Sequence, residues 1–471
     1  MNRRSFLTKT GLLLGGLGVN ETFKLDLMEK LARQLLPFAH AQGADAPPRR
    51  TIELCFRAGI PMTIFAQGKA FNSTDNLYSN FNYPNNSTAR PMPNGATARN
   101  IVYNIDSAPL LEYADYIAIT QGIVVNPLHT NMFDYREGGP GAGKPSPAVE
   151  LANANSTQSI VHGVIFPLSG NGGNDVRNST GGLRDLEKTN NATEFKALFK
   201  NPVLRLTAYE VNTVLKAAEK LSRRQALLLD TKLSEATKHV NAHASAVKLF
   251  ERDLTAELNV QNTMSSFFQR DIQTSASGGQ SNRARESLTA VRENLALVLK
   301  AFQLNLINSA VITVDVEDWH GYRDGRHQGA IARDMSEMLR AAIRFMQTTP
   351  DPAAPELKLW DTTVIVAGSE FARGISAAYG AGDNPDSGTQ SFMMIGKNVR
   401  GDYYGNFKLG QRGAYGGEVA VGFDPQTGVA YSIESRKRNT AEQAYHTIRA
   451  ACGLKLSTTE KEKALKAMLR V

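Results

Sequence analysis

Short apolar runs alternate with long amphipathic stretches along this chain. Residues 51–56, Thr-Ile-Glu-Leu-Cys-Phe, predict a compact strand, and the turn Arg57-Ala58-Gly59-Ile60-Pro61 follows it. Residues 116–120 with 122–125, 159–166, 310–314, 362–366 and 393–395 predict further strands. Runs this apolar, with little alternation, fit strands covered on both faces of a parallel sheet. Elsewhere apolar residues recur at helical spacing. Val211, Leu215, Ala218 and Leu221, then Val247, Phe250, Leu254 and Leu258, mark a helical section over 207–270. Helices are also predicted at about 283–305, 328–347 and 439–451. Residues 70–100, rich in Asn, Ser, Pro and Gly, predict a surface excursion, and 137–146 and the Pro-rich 350–355 predict loops. The class is α/β, with a mainly parallel central sheet, helices on both faces and a long helical section at about 205–305.

Composition narrows this little but excludes much. The 471 residues are 42% hydrophobic and 21% charged, which excludes a mostly disordered or fibrous chain. The net charge of +8 is small for the length and no polybasic block stands out, so nucleic acid is not an expected partner. Two cysteines, Cys55 and Cys452, exclude a disulfide-rich scaffold and any multi-cysteine metal site. Two buried free thiols are the plainer reading, and one disulfide stays open in an oxidising compartment.

The N-terminus reads as an address. Asn2-Arg3-Arg4-Ser5-Phe6-Leu7-Thr8-Lys9 looks like a twin-arginine export signal, with a mildly apolar, glycine-containing run behind it. Ala39-His40-Ala41 is a small-x-small cleavage site, which makes 1–41 the signal segment and places the protein in the periplasm. Residues 20–38 also read as an amphipathic helix, with Phe23, Leu27 and Leu31 on one face, so an uncleaved helix is the competing picture. No segment reaches the roughly 18 apolar residues of a membrane span.

Several constellations invite chemistry. Gly138-Gly139-Pro140-Gly141-Ala142-Gly143-Lys144 fits the start of a phosphate-binding loop, but Pro145 stands where Ser or Thr should hold magnesium, and no apolar strand precedes it or clear helix follows. It reads as a flexible loop. His239 and His243 lie one helical turn apart without the third ligand a metal needs, and read as surface histidines. Asp315, Glu317, Asp318, His320, Asp324 and His327 follow the strand 310–314, at the end where parallel sheets keep their active sites. Carboxylates with imidazoles suit zinc, manganese or calcium. The competing reading is a solvated acidic loop satisfied by Arg323, Arg326 and Arg333. Glu370 and Arg373 follow strand 362–366 in the same way, either to orient a ligand or as an ion pair between loops.

The last third carries a resemblance. Asp318-Trp319-His320, then Leu359-Trp360-Asp361-Thr362-Thr363-Val364-Ile365-Val366, Ser369-Glu370-Phe371-Ala372-Arg373, Gly396-Lys397-Asn398-Val399-Arg400-Gly401 and Tyr404-Gly405 follow in order. This resembles the domain-of-unknown-function 1501 family, twin-arginine-exported bacterial proteins of the alkaline phosphatase and sulfatase superfamily. Motif agreement covers about 100 residues. The N-terminal half agrees in order only, with a His-containing segment near His129. The resemblance implies a single alkaline phosphatase-like α/β domain over 42–471.

The departures from that family bear on function. Where its pattern is D-H-G-H-G, this chain has Asp386-Ser387-Gly388-Thr389-Gln390, so the aspartate stays and both histidines are gone. Where its first strand exit usually carries an Asp, this chain has Arg57-Ala58-Gly59-Ile60-Pro61. The loss of two or three ligands abolishes a two-metal site. Asp318, His320 and Asp386 remain as metal ligands, with Glu370, Arg373, His327 and His129 in support, for at most one divalent metal: zinc, manganese or calcium. Two functions follow. One is a non-catalytic binding or structural role on a degenerate site, with a protein partner. The other is a metal-dependent hydrolase of small phosphate or sulfate esters with an altered single-metal site, for which Thr63 is a poorly fitting nucleophile.

Overall fold

A computed structural model of the chain describes residues 49–57, 62–68, 101–103, 106–124, 134–139, 142–155, 159, 161, 163–167, 182–198, 254–260, 282–315, 326–369, 389–408 and 419–470. In chain order the strands are β1 (Arg50–Phe56), β2 (Ala66–Gly68), β3 (Ile101–Tyr103), β4 (Ile117–Thr120), β5 (Ile123–Val124), β6 (Val164–Phe166), β7 (Glu187–Lys188) and β8 (Ser309–Val314). There follow β9 (Pro350–Asp351), β10 (Ala354–Lys358), β11 (Thr363–Ser369), β12 (Thr389–Gln390), β13 (Phe392–Ile395), β14 (Asp402–Tyr404), β15 (Asn406–Lys408), β16 (Val419–Val421) and β17 (Asn439–Thr440). The helices are α1 (Asp134–Glu137), α2 (Pro147–Ala154), α3 (Ala192–Leu198), α4 (Leu254–Glu257), α5 (Asn282–Gln303), α6 (Arg326–Thr348), α7 (Leu359–Thr362), α8 (Ala441–Ala451) and α9 (Thr458–Lys463).

An eight-stranded sheet in the order β14-β4-β13-β11-β1-β8-β6-β7 is the frame. It is parallel throughout except for β13, which runs against both β11 and β4. The central strands are apolar and buried on both faces, as parallel strands under helical cover must be. Alternation divides them between two cores. Ile52, Leu54, Phe56, Ile312, Val314, Ile365 and Ala367 join one core with α5 and α6. Cys55, Val311, Val364 and Val366 join the other with α2 and α8. Three layers result, as the sequence pattern predicts.

Three elements depart from expectation, one of them α2, which follows the glycine-rich loop. The Pro-rich stretch after α6, read as loop, holds the tight hairpin β9–β10, with the Ala353 amide donating to Asp351 Oδ1 at 2.9 Å. Among the described residues of 159–166, Val164–Phe166 form the strand. Most of the helical section 205–305, with His239 and His243, lies outside the described residues; α5 is its described end.

A second ribbon sits beyond the sheet. β12 runs into β13 and β4 into β5, and the pairing shifts by one residue between Met393↔Ile119 and Gln390↔Ile123. Gly122 makes this shift, at φ +73°. A Cβ there would meet the Val421 carbonyl carbon at 2.4 Å, so only glycine fits. β17 pairs with the other side of β5 and leads directly into α8. Thr440 caps that helix: its Oγ1 accepts from Gln443 N at 3.1 Å while Gln443 Oε1 accepts from Thr440 N at 2.8 Å. Among the described residues no helix is long and apolar enough to cross a membrane.

Candidate functional site at the carboxyl edge of the sheet

β8, β1 and β11 are neighbours and end level with one another: Phe56 pairs with Val314 on one side and Ser369 on the other. Hydrogen bonds lace the three exits. Arg57 N donates to Val314 O at 3.0 Å, and Ser369 Oγ donates to Phe56 O at 3.0 Å. The next residue along β8, Asp315, is tied back by its amide to Ser287 Oγ of α5 at 3.2 Å. The chain continues from β8 toward Asp318 and His320, and from β11 toward Glu370, Arg373 and Asp386. Those five residues and His129 lie outside the described residues, as does Thr63's side chain. His327 is the second residue of α6, and its side chain is not described. Arg333, a sequence candidate for neutralising that acidic loop, pairs with Asp106 through both Nε, at 3.0 Å, and its terminal nitrogen.

Beneath the exits lies a buried ionic cluster. Alternation puts Thr51, Glu53 and Cys55 of β1 on the α2/α8 face. Glu53 is 1% exposed. Its Oε2 accepts from Arg136 Nε of α1 at 2.6 Å and contacts a terminal guanidinium nitrogen as well, and its Oε1 accepts from Ala148 N, in the first turn of α2, at 2.9 Å. Next to Arg136, Tyr135 stacks flat on Phe392, ring centroids 5.6 Å apart, and presses on Gly368 of β11. A Cβ at position 368 would lie 2.7 Å from the Tyr135 ring. Glycine one residue before the exit of β11 thus admits the tyrosine that seats α1 under the edge. Burial pushes the Cys55 thiol up to about 12, against the pull of Arg136. Burial does the same to Cys452, to about 12. Both are free, and neither is a nucleophile.

The described part of the glycine-rich loop has its helix amide and its lysine engaged within the chain. A helix, α2, does follow it, contrary to the sequence reading. Ser146 caps α2, accepting from Val149 N at 3.4 Å, and the Glu53 carboxylate already occupies the Ala148 amide. Lys144 Nζ lies 3.3 Å from Glu442 Oε1 and 5.4 Å from the Tyr445 ring centroid. Glu442 also accepts from Lys463 at 3.1 Å. Behind it, Arg449 forks onto both oxygens of Glu150 at 2.7 Å and onto Glu460 at 2.6 Å. The loop's lysine is a structural tie to α8.

At the opposite, amino edge, Arg50 is wholly buried against Asp351, with Asn305 Oδ1 at 3.1 Å and the Phe302 ring beneath. Burial lowers its pKa and Asp351 works against that. The pair faces away from the exits and closes the bottom of the sheet. Sequence reading missed both ionic clusters. The signal was present for Glu53, a lone carboxylate inside an otherwise apolar strand, which demands a buried partner.

Among the described residues there is no group of three or more His, Cys, Asp or Glu suited to a metal ion. No protein-family model matches the chain, and no curated protein matches it. The chain is similar to a solved structure described as a 2-O GAG sulfatase, at 9% identity and a TM-score of 0.29, over 88% of this chain and 72% of that one. A likeness that weak leaves the fold class resting on the sheet's own order and direction.

Proposed function

We propose that this chain is an exported, periplasmic protein, a signal segment 1–41 followed by one alkaline phosphatase/sulfatase-like domain, whose metal site is degenerate and whose carboxyl edge binds rather than hydrolyses. The observation that carries the reading is Arg57. β1 is the central strand of the exit triplet, and it delivers a half-buried guanidinium where the resembled family has a ligand carboxylate. Among the described residues the buried Nε of Arg57 has no hydrogen-bond partner. A cation at that place opposes a divalent metal and favours an anionic group of a partner. Gln390 adds to this: it stands at the last position of the altered D-H-G-H-G pattern as a fully buried side chain.

A second reading draws on the same topology. The strands that lead into Asp318, His320 and Glu370 both flank β1 and end level with it, which supports a single metal on Asp318, His320 and Asp386, with Glu370, Arg373, His327 and His129 in support. Metal content by mass spectrometry, on protein purified without chelators, separates the two. The binding reading expects no stoichiometric metal and no turnover of p-nitrophenyl phosphate or sulfate. One equivalent of zinc, manganese or calcium that disappears in His320→Ala, together with ester hydrolysis, overturns it in favour of the hydrolase.

A further inference from the structure

We propose that His446 is a pH-sensitive switch on the tie between the glycine-rich loop and α8: its protonation draws on Glu442 and releases Lys144. This does not rest on the reading of the carboxyl edge. His446 is 1% exposed. Its Nε2 lies 3.6 Å from Glu442 Oε1, and its Nδ1 lies 3.8 Å from Glu460 Oε1 and 3.3 Å from a terminal nitrogen of Arg449. The Tyr445 ring stands edge-on to it. In the network around it Lys144, Arg449 and Lys463 balance Glu150, Glu442 and Glu460. A proton on His446 leaves that network one positive charge over. α8 also packs on α1, β5 and β17. The two strands carry no charged residue, and α1 carries Arg136, paired with Glu53, and Glu137. Asp134 opens α1, and its side chain is outside those described.

The arginine fixes the histidine's tautomer. A guanidinium only donates, so Nδ1 of neutral His446 accepts from Arg449 and Nε2 carries the hydrogen. A second proton goes onto Nδ1 and sets two donors against each other. Arg449 has little room to yield, because it is held by both oxygens of Glu150 at 2.7 Å and by Glu460 at 2.6 Å. The cationic ring is left to draw on Glu442, whose Oε1 already serves Lys144 at 3.3 Å and Lys463 at 3.1 Å. Lys463 reaches Oε2 as well, at 3.1 Å. Lys144 has the single, longer contact to this carboxylate, in a half-exposed pair of the kind worth about a factor of two to five in an equilibrium, so it is the cation displaced. The coupling is reciprocal. Burial first, then Lys144 and Arg449, hold the His446 pKa below its ordinary value, against Glu460 and Glu442. The repulsion by which Lys144 keeps the proton off is the repulsion by which the proton drives Lys144 out.

Lys144 closes the stem of its loop. Its amide donates to Glu137 O at 3.3 Å, and its alkyl chain lies over Gly138, at φ +83°, where a Cβ would meet Lys144 Cδ at 2.6 Å. The stem thus joins the end of α1, which seats Tyr135 and Arg136 beneath the sheet, to the Glu442 carboxylate of α8. The next residue is tied differently: Tyr445 Oη donates to Pro145 O at 3.0 Å, and burial pushes that phenol's pKa up, so this bond stays in mild acid. The partner carboxylates stay ionised too. Lys463 above all holds Glu442 below the usual carboxylate range, and the Ser457 amide above all holds Glu460 at about 2. Mild acid therefore titrates His446 and not its partners, and the release is confined to the stem ahead of Pro145.

The test is hydrogen–deuterium exchange of the full-length protein from about pH 8 to about pH 5, corrected for the intrinsic exchange rate. Protection of the Lys144 amide should fall with pH, roughly tenfold for each unit by which release raises the His446 pKa, while the amides of β1 keep theirs. In His446→Gln, whose side-chain oxygen still accepts from Arg449, protection should not respond to pH. In Glu442→Gln it should be low throughout. NMR of histidine labelled at its ring nitrogens should show the His446 pKa displaced upward in Lys144→Met, with His446→Gln assigning the resonance. No fall in wild type, a fall that survives in His446→Gln, or an equal loss in β1 overturns the proposal. So does a His446 pKa that Lys144→Met leaves in place.

Discussion

Removing the Arg136 guanidinium should destabilise the protein far more than removing the whole Glu53–Arg136 pair. In Arg136→Met, Glu53 stays in a site 1% exposed to solvent. Its Oε1 keeps the Ala148 amide at 2.9 Å, but its Oε2 loses both guanidinium contacts, including the 2.6 Å bond to Nε. Breaking one side of a buried pair costs about 3–5 kcal/mol, because the remaining charge has neither water nor a counter-ion. In Glu53→Gln/Arg136→Met both charges of the pair are gone, buried Glu137 is left as it is in the single variant, and the glutamine carbonyl still accepts from Ala148 N. That variant should recover all but about 1–2 kcal/mol. A chain this long has an unfolding entropy near 1 kcal/mol/K, so the single variant should lose about 3–5 °C in Tm and the double about 1–2 °C. Differential scanning calorimetry at neutral pH reads both, and urea midpoints check the order. A double variant as unstable as Arg136→Met, or a single variant within about 1 °C of wild type, would refute the claim that charge burial rather than packing dominates at the α1–β1 contact.

Two further outcomes follow from buried titratable groups. Burial, and next Lys144, lower the pKa of His446, whose Nδ1 faces Arg449 at 3.3 Å; Tyr445, Glu442 and Glu460 also face it. The unfolded chain therefore binds this proton first, so stability is full above the ordinary histidine value of 6.5 and is lost as pH falls below it toward the lower folded value. Tm measured against pH should drop more steeply below that point for wild type than for His446→Gln; parallel curves would show that the Glu442 and Glu460 carboxylates cancel the cost. Cys55 and Cys452, both buried with thiols pushed up to about 12, should ignore Ellman's reagent in the native protein and release two equivalents in denaturant. Reaction in the native state, or none after denaturation without reductant, would contradict this.

Much of the frame was legible in sequence. β1, β8 and β11 are apolar runs because each is buried on both faces, and α5 and α6 show their buried stripe at helical spacing. The plain reading of the two cysteines as separate buried thiols also holds. These are local properties: periodicity records which side chains leave water, whatever they later touch. The same pattern is blind to partner and direction. Residues 393–395 read as one more strand, yet β13 alone runs against its neighbours. Nothing local told that Glu53 meets Arg136, or that Arg50 meets Asp351 301 residues away. The left-handed backbone at Arg436 had no sequence mark either, since the usual Gly or Asn is missing there. The exits of β8, β1 and β11 lie side by side only because long-range pairing sets strand order and register. The sequence by itself thus determined which segments are buried and in what periodic form. Only the tertiary structure decided which of them are neighbours, because pairing energy comes from contacts between residues far apart in the chain.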